Sequence, residues 1–181
     1  MQPIRPKYTL KWESGSEIMD IEDDLDGIDR QILAVLAEDG RISVTALAAR
    51  VGLSKSPAQV RLKRLQDEGY ILGFHACLNM TKLGLEHVAF TEVKLSSTTE
   101  AALSAFNTAV SAIPEVEQCH MIASDYDYLL KVRTRNIAAY RRVLGEEIST
   151  LPGVASTSTF VSMETVKEVP SRPGSIQQTN R

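Results

Sequence analysis

Four cations, Lys55, Arg61, Lys63 and Arg64, fall in a ten-residue stretch that contains no acidic group, with Ser54 just before it and Ser56 and Gln59 within it. These side chains suit one chemistry well. Guanidinium and ammonium groups bond phosphate oxygens, while Ser, Gln and Arg reach the hydrogen-bonding edges of bases. The stretch therefore points to double-stranded DNA as a partner. The formal net charge of -3 would argue against this if only the sum mattered. Phosphate contact depends on local potential, however, and the acidic groups crowd instead between Glu13 and Asp29. The alternative reading is a helical bundle whose basic face is merely solvated.

A second cluster lies around one turn, where His120, Ser124, Asp125 and Asp127 come close in sequence. Two carboxylates and an imidazole could serve acid-base catalysis. No nucleophile with an obvious base accompanies them, and no glycine-rich phosphate loop is present, so no catalytic residue is assigned. An enzyme or a stand-alone metabolic ligand-binding module is kept as the rival class. Asp125 and Asp127 alone read as a hairpin turn stabilised by its own side chains. His75, His87 and His120 have no strong ligand beside them and read as ordinary strand histidines, with no metal site and no cofactor expected. Cys77 and Cys119 are far apart and match neither a disulfide framework nor a zinc module; they are expected to be buried thiols.

Elements must position these groups. The chain's 181 residues suggest two compact units. No apolar run approaches the roughly 20 residues of a membrane helix. The polar start lacks a secretory segment, so no membrane is expected and the protein should stay in the cytoplasm. Residues 1–24 read as a flexible arm in which Met19 offers an alternative to Met1 as the start of translation, and residues 169–181 read as a flexible tail. Within 25–70, Ile28, Ile32, Leu33 and Leu36 share a helical face between a cap at Asp26 and a stop at Gly40. Ser43 caps a short helix through Leu47 and Val51 that Gly52 ends. Ser54 then caps a third helix, Lys55 to Glu68, with Ala58, Leu62 and Leu65 as its buried stripe and Pro57 tolerated in its first turn. Two short helices joined by a glycine turn, the second of them basic, match a helix-turn-helix.

Tyr70 to Leu78 is rich in strand formers, and residues 71–84 read as a linking strand and hinge. Over 85–168 a strand alternates through Val88, Phe90, Glu92 and Lys94. It is followed by a helix from Glu100 to Ile113, strands from Val116 to Ile122 and Tyr126 to Val132, a helix from Ile137 to Ile148, and a strand through Met163. The order βαββαβ predicts a ferredoxin-like unit, with both helices on one face of an antiparallel sheet. The other face needs a cover, and a second subunit is the economical one. The fold class is thus α+β, a winged-helix-like helix-turn-helix domain followed by a ferredoxin-like domain.

The run LDGIDRQILAVLAEDGRISVTALAARVGLSKSPAQVRLKRLQDEGYILGFHACLN resembles the DNA-binding half of the Lrp/AsnC, or feast/famine, regulators. PEVEQCHMIASDYDYLLKVRT and LPGVASTSTFVSMETVKE resemble their effector and oligomerisation domain, so the likeness spans Leu25 to Glu168. The stretches QCHMIA, DYLLKVRT and YRRVLGEEISTLP resemble the branch of the family that activates proline dehydrogenase expression in α-proteobacteria. The resemblance implies a transcription regulator of amino-acid metabolism, an activator, and a homodimer that assembles to an octamer or similar ring. It also implies a small amino-acid effector such as proline, held between dimers by Met121, Ala123, Ser124, Asp125, Tyr126 and Asp127, with Thr157 and Thr159 as neighbours. Turn N–H groups would hold the carboxylate and Asp127 the α-ammonium. The family usually has Gly where Ser124 stands, which leaves an effector-independent or architectural regulator as the alternative.

Overall fold

A computed structural model of the chain describes residues 25–168, so the arm read over 1–24, its Met19 start and the tail read over 169–181 lie outside the described residues. The chain divides between His75 and Ala76 into two compact units. In the first, helix α1 spans Gly27–Glu38, α2 Val44–Arg50 and α3 Lys55–Asp67. Asp26 begins α1 with a reciprocal cap: its Oδ1 accepts from the Asp29 N–H at 2.8 Å, and Asp29 Oδ2 accepts from the Asp26 N–H at 3.2 Å. Ser43 Oγ accepts from the Ala46 N–H at 3.2 Å at the start of α2. These bonds satisfy N–H groups that a helix start leaves without partners. Gly52, with φ 70°, turns the chain between α2 and α3 in a left-handed conformation that a Cβ would oppose.

Ile32, Leu47, Val51 and Leu65 form the core of the three helices, and buried Ala48 and Ala58 add little bulk where helices meet. Each large side chain buried here contributes roughly 1.5–3 kcal/mol. Ser54 has the extended backbone of a cap, but its side chain makes no cap hydrogen bond, contrary to expectation. Pro57 occupies the third helical position and has no N–H to offer the serine hydroxyl.

In the second unit β1 (His87–Leu95), α4 (Glu100–Val110), β2 (Val116–Met121), β3 (Tyr128–Thr134), α5 (Ile137–Glu146) and β4 (Val154–Val161) follow the expected βαββαβ order. The sheet is antiparallel with strand order β2-β3-β1-β4. Ala89, Val93, Tyr128, Leu130 and Val132 pack with Phe106 and Val110 of α4 and Tyr140 and Val143 of α5, which puts both helices on one face. The alternate residues turn the other way, and there Phe90 pairs across strands with Phe160, the two being 38% and 55% exposed.

Further expectations need correction, among them the helix expected to reach Ile113, which ends at Val110. No strand forms between Tyr70 and Leu78, where Leu72, Phe74 and Leu78 are exposed; a strand needs a ladder partner, and among the described residues none pairs with this segment. The strand expected from Tyr126 begins at Tyr128, because Asp127 turns its N–H to the Val93 carbonyl of β1 at 3.0 Å. The helix expected to reach Ile148 ends at Glu146 and passes into a tight turn over Ile148–Thr150, where Thr150 Oγ1 donates to the free carbonyl of Glu146 at 2.8 Å. Cys77 and Cys119 are exposed and not buried, one in the unpaired linking segment and the other on edge strand β2.

Candidate nucleic-acid interface and effector turn

The leading turn of α3 presents Ser54, Lys55, Ser56 and Gln59 to solvent, with Lys63 exposed one turn further on. Ala58 and Leu65 point inward and fix that orientation. Val60, 69% exposed, stands on the same outer surface, where an apolar side chain has no core to join. Lys63 reaches Asp67 one turn along at 2.7 Å, a solvated pair of small energetic consequence. Lys55 has no ion-pair partner among the described residues.

Arg61 and Arg64 are differently placed. Arg61 Nη1 donates to Asp26 Oδ2 at 2.6 Å and to Asp29 Oδ1 at 2.9 Å, while Arg64 Nη2 donates to Asp29 Oδ2 at 2.5 Å. Asp29 is fully buried, at 0% exposure. The hydrogen bonds to Asp29 raise both guanidinium groups above their ordinary range. The Asp26 carboxyl is held below its usual value chiefly by the Asp29 N–H and secondarily by Arg61. The cluster borders an open concavity of about 560 Å³ that Pro57 and Val60 also line.

In the second unit the turn from Ile122 to Asp127 is closed by the Ile122 N–H donating to the Asp127 carbonyl at 2.9 Å. Met121, Ala123, Ser124 and Asp125 are exposed, and Tyr126 and Asp127 are half-buried. Asp127 Oδ2 accepts from the Leu95 N–H at 2.7 Å and its Oδ1 lies 3.5 Å from Lys94 Nζ, so the carboxylate ties the turn to the end of β1. No residue other than glycine has a positive φ among those described, so Ser124 sits in the turn without backbone strain. Thr157 and Thr159 lie on β4, at the opposite edge of the sheet from β2. Met121, Tyr128, Val93 and Thr157 form one row across the four strands, so Met121 stands roughly 14 Å from Thr157 at sheet spacing, while Asp127, bonded to Val93 and Leu95 of β1, stands closer. Among the described residues no hydrogen bond joins the turn to either threonine, and Thr159 Oγ1 bonds the Tyr140 hydroxyl at 2.5 Å instead.

Comparison with known proteins matches residues 25–71 to a winged helix-turn-helix DNA-binding domain and residues 88–171 to the Lrp/AsnC ligand binding domain. A proline dehydrogenase transcriptional activator of Rhizobium radiobacter is 67% identical over 81% of this chain and 94% of its own length. The chain belongs to the Lrp/AsnC family. The leucine-responsive regulatory protein of Escherichia coli K12 is 46% identical over 80% of this chain and 88% of its own. Among solved structures, an AsnC family transcriptional regulator from Agrobacterium tumefaciens superposes with a TM-score of 0.76 at 32% identity, covering 82% of this chain and 97% of that one. A regulator from Neisseria meningitidis, solved with L-Met, gives 0.74 at 31%, covering 82% and 96%. This Lrp/AsnC chain is thus a DNA-binding transcription regulator with a ligand-binding domain, and not an enzyme. No helix among the described residues is long and apolar enough to cross a membrane, and no group of potential ligands there could hold a metal ion.

Two clusters in this Lrp/AsnC regulator escaped sequence reasoning. In the sequence Asp29 is one of a crowd of acidic residues, and its position three residues after the Asp26 cap is the available signal. The other lies on the sheet face away from the helices. There Arg133, 8% exposed, bonds Glu117 at 2.5 Å, Glu168 at 2.7 and 2.8 Å and the Leu85 carbonyl at 3.0 Å, and Lys131 pairs with Glu117 at 3.0 Å and with Glu168. Burial alone would lower the Lys131 ammonium, but the two glutamates outweigh it and hold it above its ordinary range. Nothing in the local spacing of Glu168 announces its partners.

Proposed function

We propose that this Lrp/AsnC regulator activates transcription of proline dehydrogenase from double-stranded DNA, in the cytoplasm, in response to a small amino acid of which proline is the first to test. The observation that carries the reading is the 67% identity to the Rhizobium radiobacter activator across 94% of that protein, which includes both domains. The domains are taken as residues 25–70 for DNA, 71–84 as hinge and 85–168 for effector and oligomer, with 1–24 and 169–181 as flanking arm and tail. Ser54, Ser56 and Gln59 lead α3 into the major groove, and Lys55, Arg61, Lys63 and Arg64 bond phosphate or guanine.

A second copy covers the open sheet face, where Phe90 and Phe160 give an apolar start to the interface. Dimers then assemble further to an octamer or similar ring. The effector lies between dimers, where the turn from Met121 to Asp127 of one chain can meet Thr157 and Thr159 of another. An effector-independent regulator is the second reading, and the engagement of Asp127 with Leu95 and Lys94 favours it, since an α-ammonium would have to displace Lys94.

Mobility-shift titration against the upstream region of a proline dehydrogenase gene, with and without proline, tests the whole reading. The account expects retardation of that fragment, a change in retardation or in transcript yield with proline, and loss of the proline response in Asp127→Ala without loss of retardation. Retardation with no response to any of the twenty amino acids would select the effector-independent reading. No preference for that fragment over unrelated DNA would overturn the assignment of target.

A further inference from the structure

The ion cluster between α1 and α3 has an arrangement that stability alone does not call for. A fully buried carboxylate is costly unless paired and hydrogen-bonded, and an apolar pair of similar size would often hold two helices as well. Asp29 nonetheless occupies that place, and both its oxygens are bonded by recognition-helix arginines. Each arginine gives it a single nitrogen, Nη1 of Arg61 and Nη2 of Arg64. Arg61 Nε and Nη2 and Arg64 Nε have no bond among the described residues. A guanidinium carries five N–H donors in a rigid fork, so a carboxylate on one side leaves donors for an oxyanion on the other. The side chains of Arg61 and Arg64 are 29% and 36% exposed, respectively, and border the open concavity beside the leading turn of α3.

We infer that Asp29 is a positioning residue for DNA binding: from inside the helical unit it holds Arg61 and Arg64 in one geometry and presents their remaining N–H donors to the phosphate backbone. The inference rests on the proposed role of these arginines in phosphate contact. Its physical basis is preorganisation. Ordering two long side chains when DNA binds would take a share of the binding energy, and Asp29 has ordered them beforehand. Asp26 is the lesser, outer anchor; half of its side chain is exposed and it holds Arg61 alone.

The test measures affinity of the full chain for a duplex from its own upstream region by fluorescence anisotropy over a salt series, with protein concentrations corrected to the folded fraction by circular dichroism. Asp29→Asn is expected to bind roughly tenfold more weakly at fixed salt, from ordering two rotamer-rich side chains, while the slope of log affinity against log salt stays as in the unaltered protein. Arg64→Gln is expected to weaken binding and to reduce that slope by about one, as the loss of one phosphate contact does. In the Asp29→Asn background Arg64→Gln should weaken binding less than it does alone. If Asp29→Asn does not fold, Asp26→Asn carries the test: asparagine caps a helix as well as aspartate does, so only the outer anchor of Arg61 is lost, with a two- to threefold weakening expected.

Affinity equal to or tighter than that of the unaltered protein in these aspartate variants, with Arg64→Gln still weakened, overturns the positioning role and leaves the phosphate contacts standing. Affinity and slope unchanged in both Arg61→Gln and Arg64→Gln overturn the phosphate contacts themselves, and the inference with them.

Discussion

The helical unit and the sheet unit each contain a cluster of charged side chains, and the two are built in opposite order. Between α1 and α3 the buried charge is the anion, Asp29, and the cations Arg61 and Arg64 stand outside it, partly exposed. On the open sheet face the inner charges are the cations, half-buried Lys131 and buried Arg133, with side chains 14% and 7% exposed, and the carboxylates Glu117 and Glu168 stand outside. The order decides what a cluster offers to its surroundings. Outward guanidinium groups suit a polyanion. Inner cations covered by carboxylates have little to offer DNA; they fasten Glu168, near the end of the described chain, to the middle of the sheet.

The largest effect should come from stranding the buried anion. Replacing both Arg61 and Arg64 with Ala leaves the buried Asp29 carboxylate without either of these cations, and a clear fall in the denaturation midpoint is expected. Denaturant unfolding followed by circular dichroism measures it. The reciprocal change on the sheet, Glu168→Gln, removes an outer, partly exposed partner and should cost about 1–2 kcal/mol. Its clearer sign is faster proteolytic cleavage between residues 162 and 168, while cleavage in the helical unit stays unchanged. If both clusters respond alike, the contrast between them fails.

A smaller effect, in pH, sharpens the same comparison. Lys131 holds the Glu168 carboxyl below its ordinary 4.5, with Arg133 adding to the effect. Since the folded value is depressed, the tether's contribution is fully present above pH 4.5 and is lost as pH falls through the lower folded value. The Lys131 ammonium is raised above 10.5, so its contribution is fully present below that value and lost only on further alkalinisation. Cleavage of the 162–168 segment should therefore be flat across the intervening window and rise first in acid. A rise between pH 6 and 8 would mean that some other group controls it.

Much of the fold was legible because it is written in periodicity. The helical spacing of Ile28, Ile32 and Leu36 and the alternation of Val88, Phe90, Glu92 and Lys94 each correspond to one geometry. Caps at Asp26 and Ser43 were legible for the same local reason. Partners distant in sequence were not. Asp29 and Arg64 are 35 residues apart, as are Arg133 and Glu168, and no local pattern distinguishes a buried charge from a solvated one. The linking segment failed differently. Leu72, Phe74 and Leu78 have strand-forming chemistry, but a strand is a property of a pair, and among the described residues no strand pairs with this segment. Asp127 was legible as a turn residue, while its bond to Leu95 depends on where β1 ends beside it.

The central claim is that DNA is bound by the outer face of α3 and not by cations elsewhere. The most direct measurement compares salt dependence of DNA affinity in two triple variants. One replaces Lys55, Lys63 and Arg64 with Gln; the other replaces Arg135, Arg141 and Arg142, three exposed cations at and near α5, with Gln. The first should lower the slope of log affinity against log salt by about three, roughly one per lost phosphate contact, and the second should leave it unchanged. An unchanged slope in the first variant with a lowered slope in the second would contradict that claim.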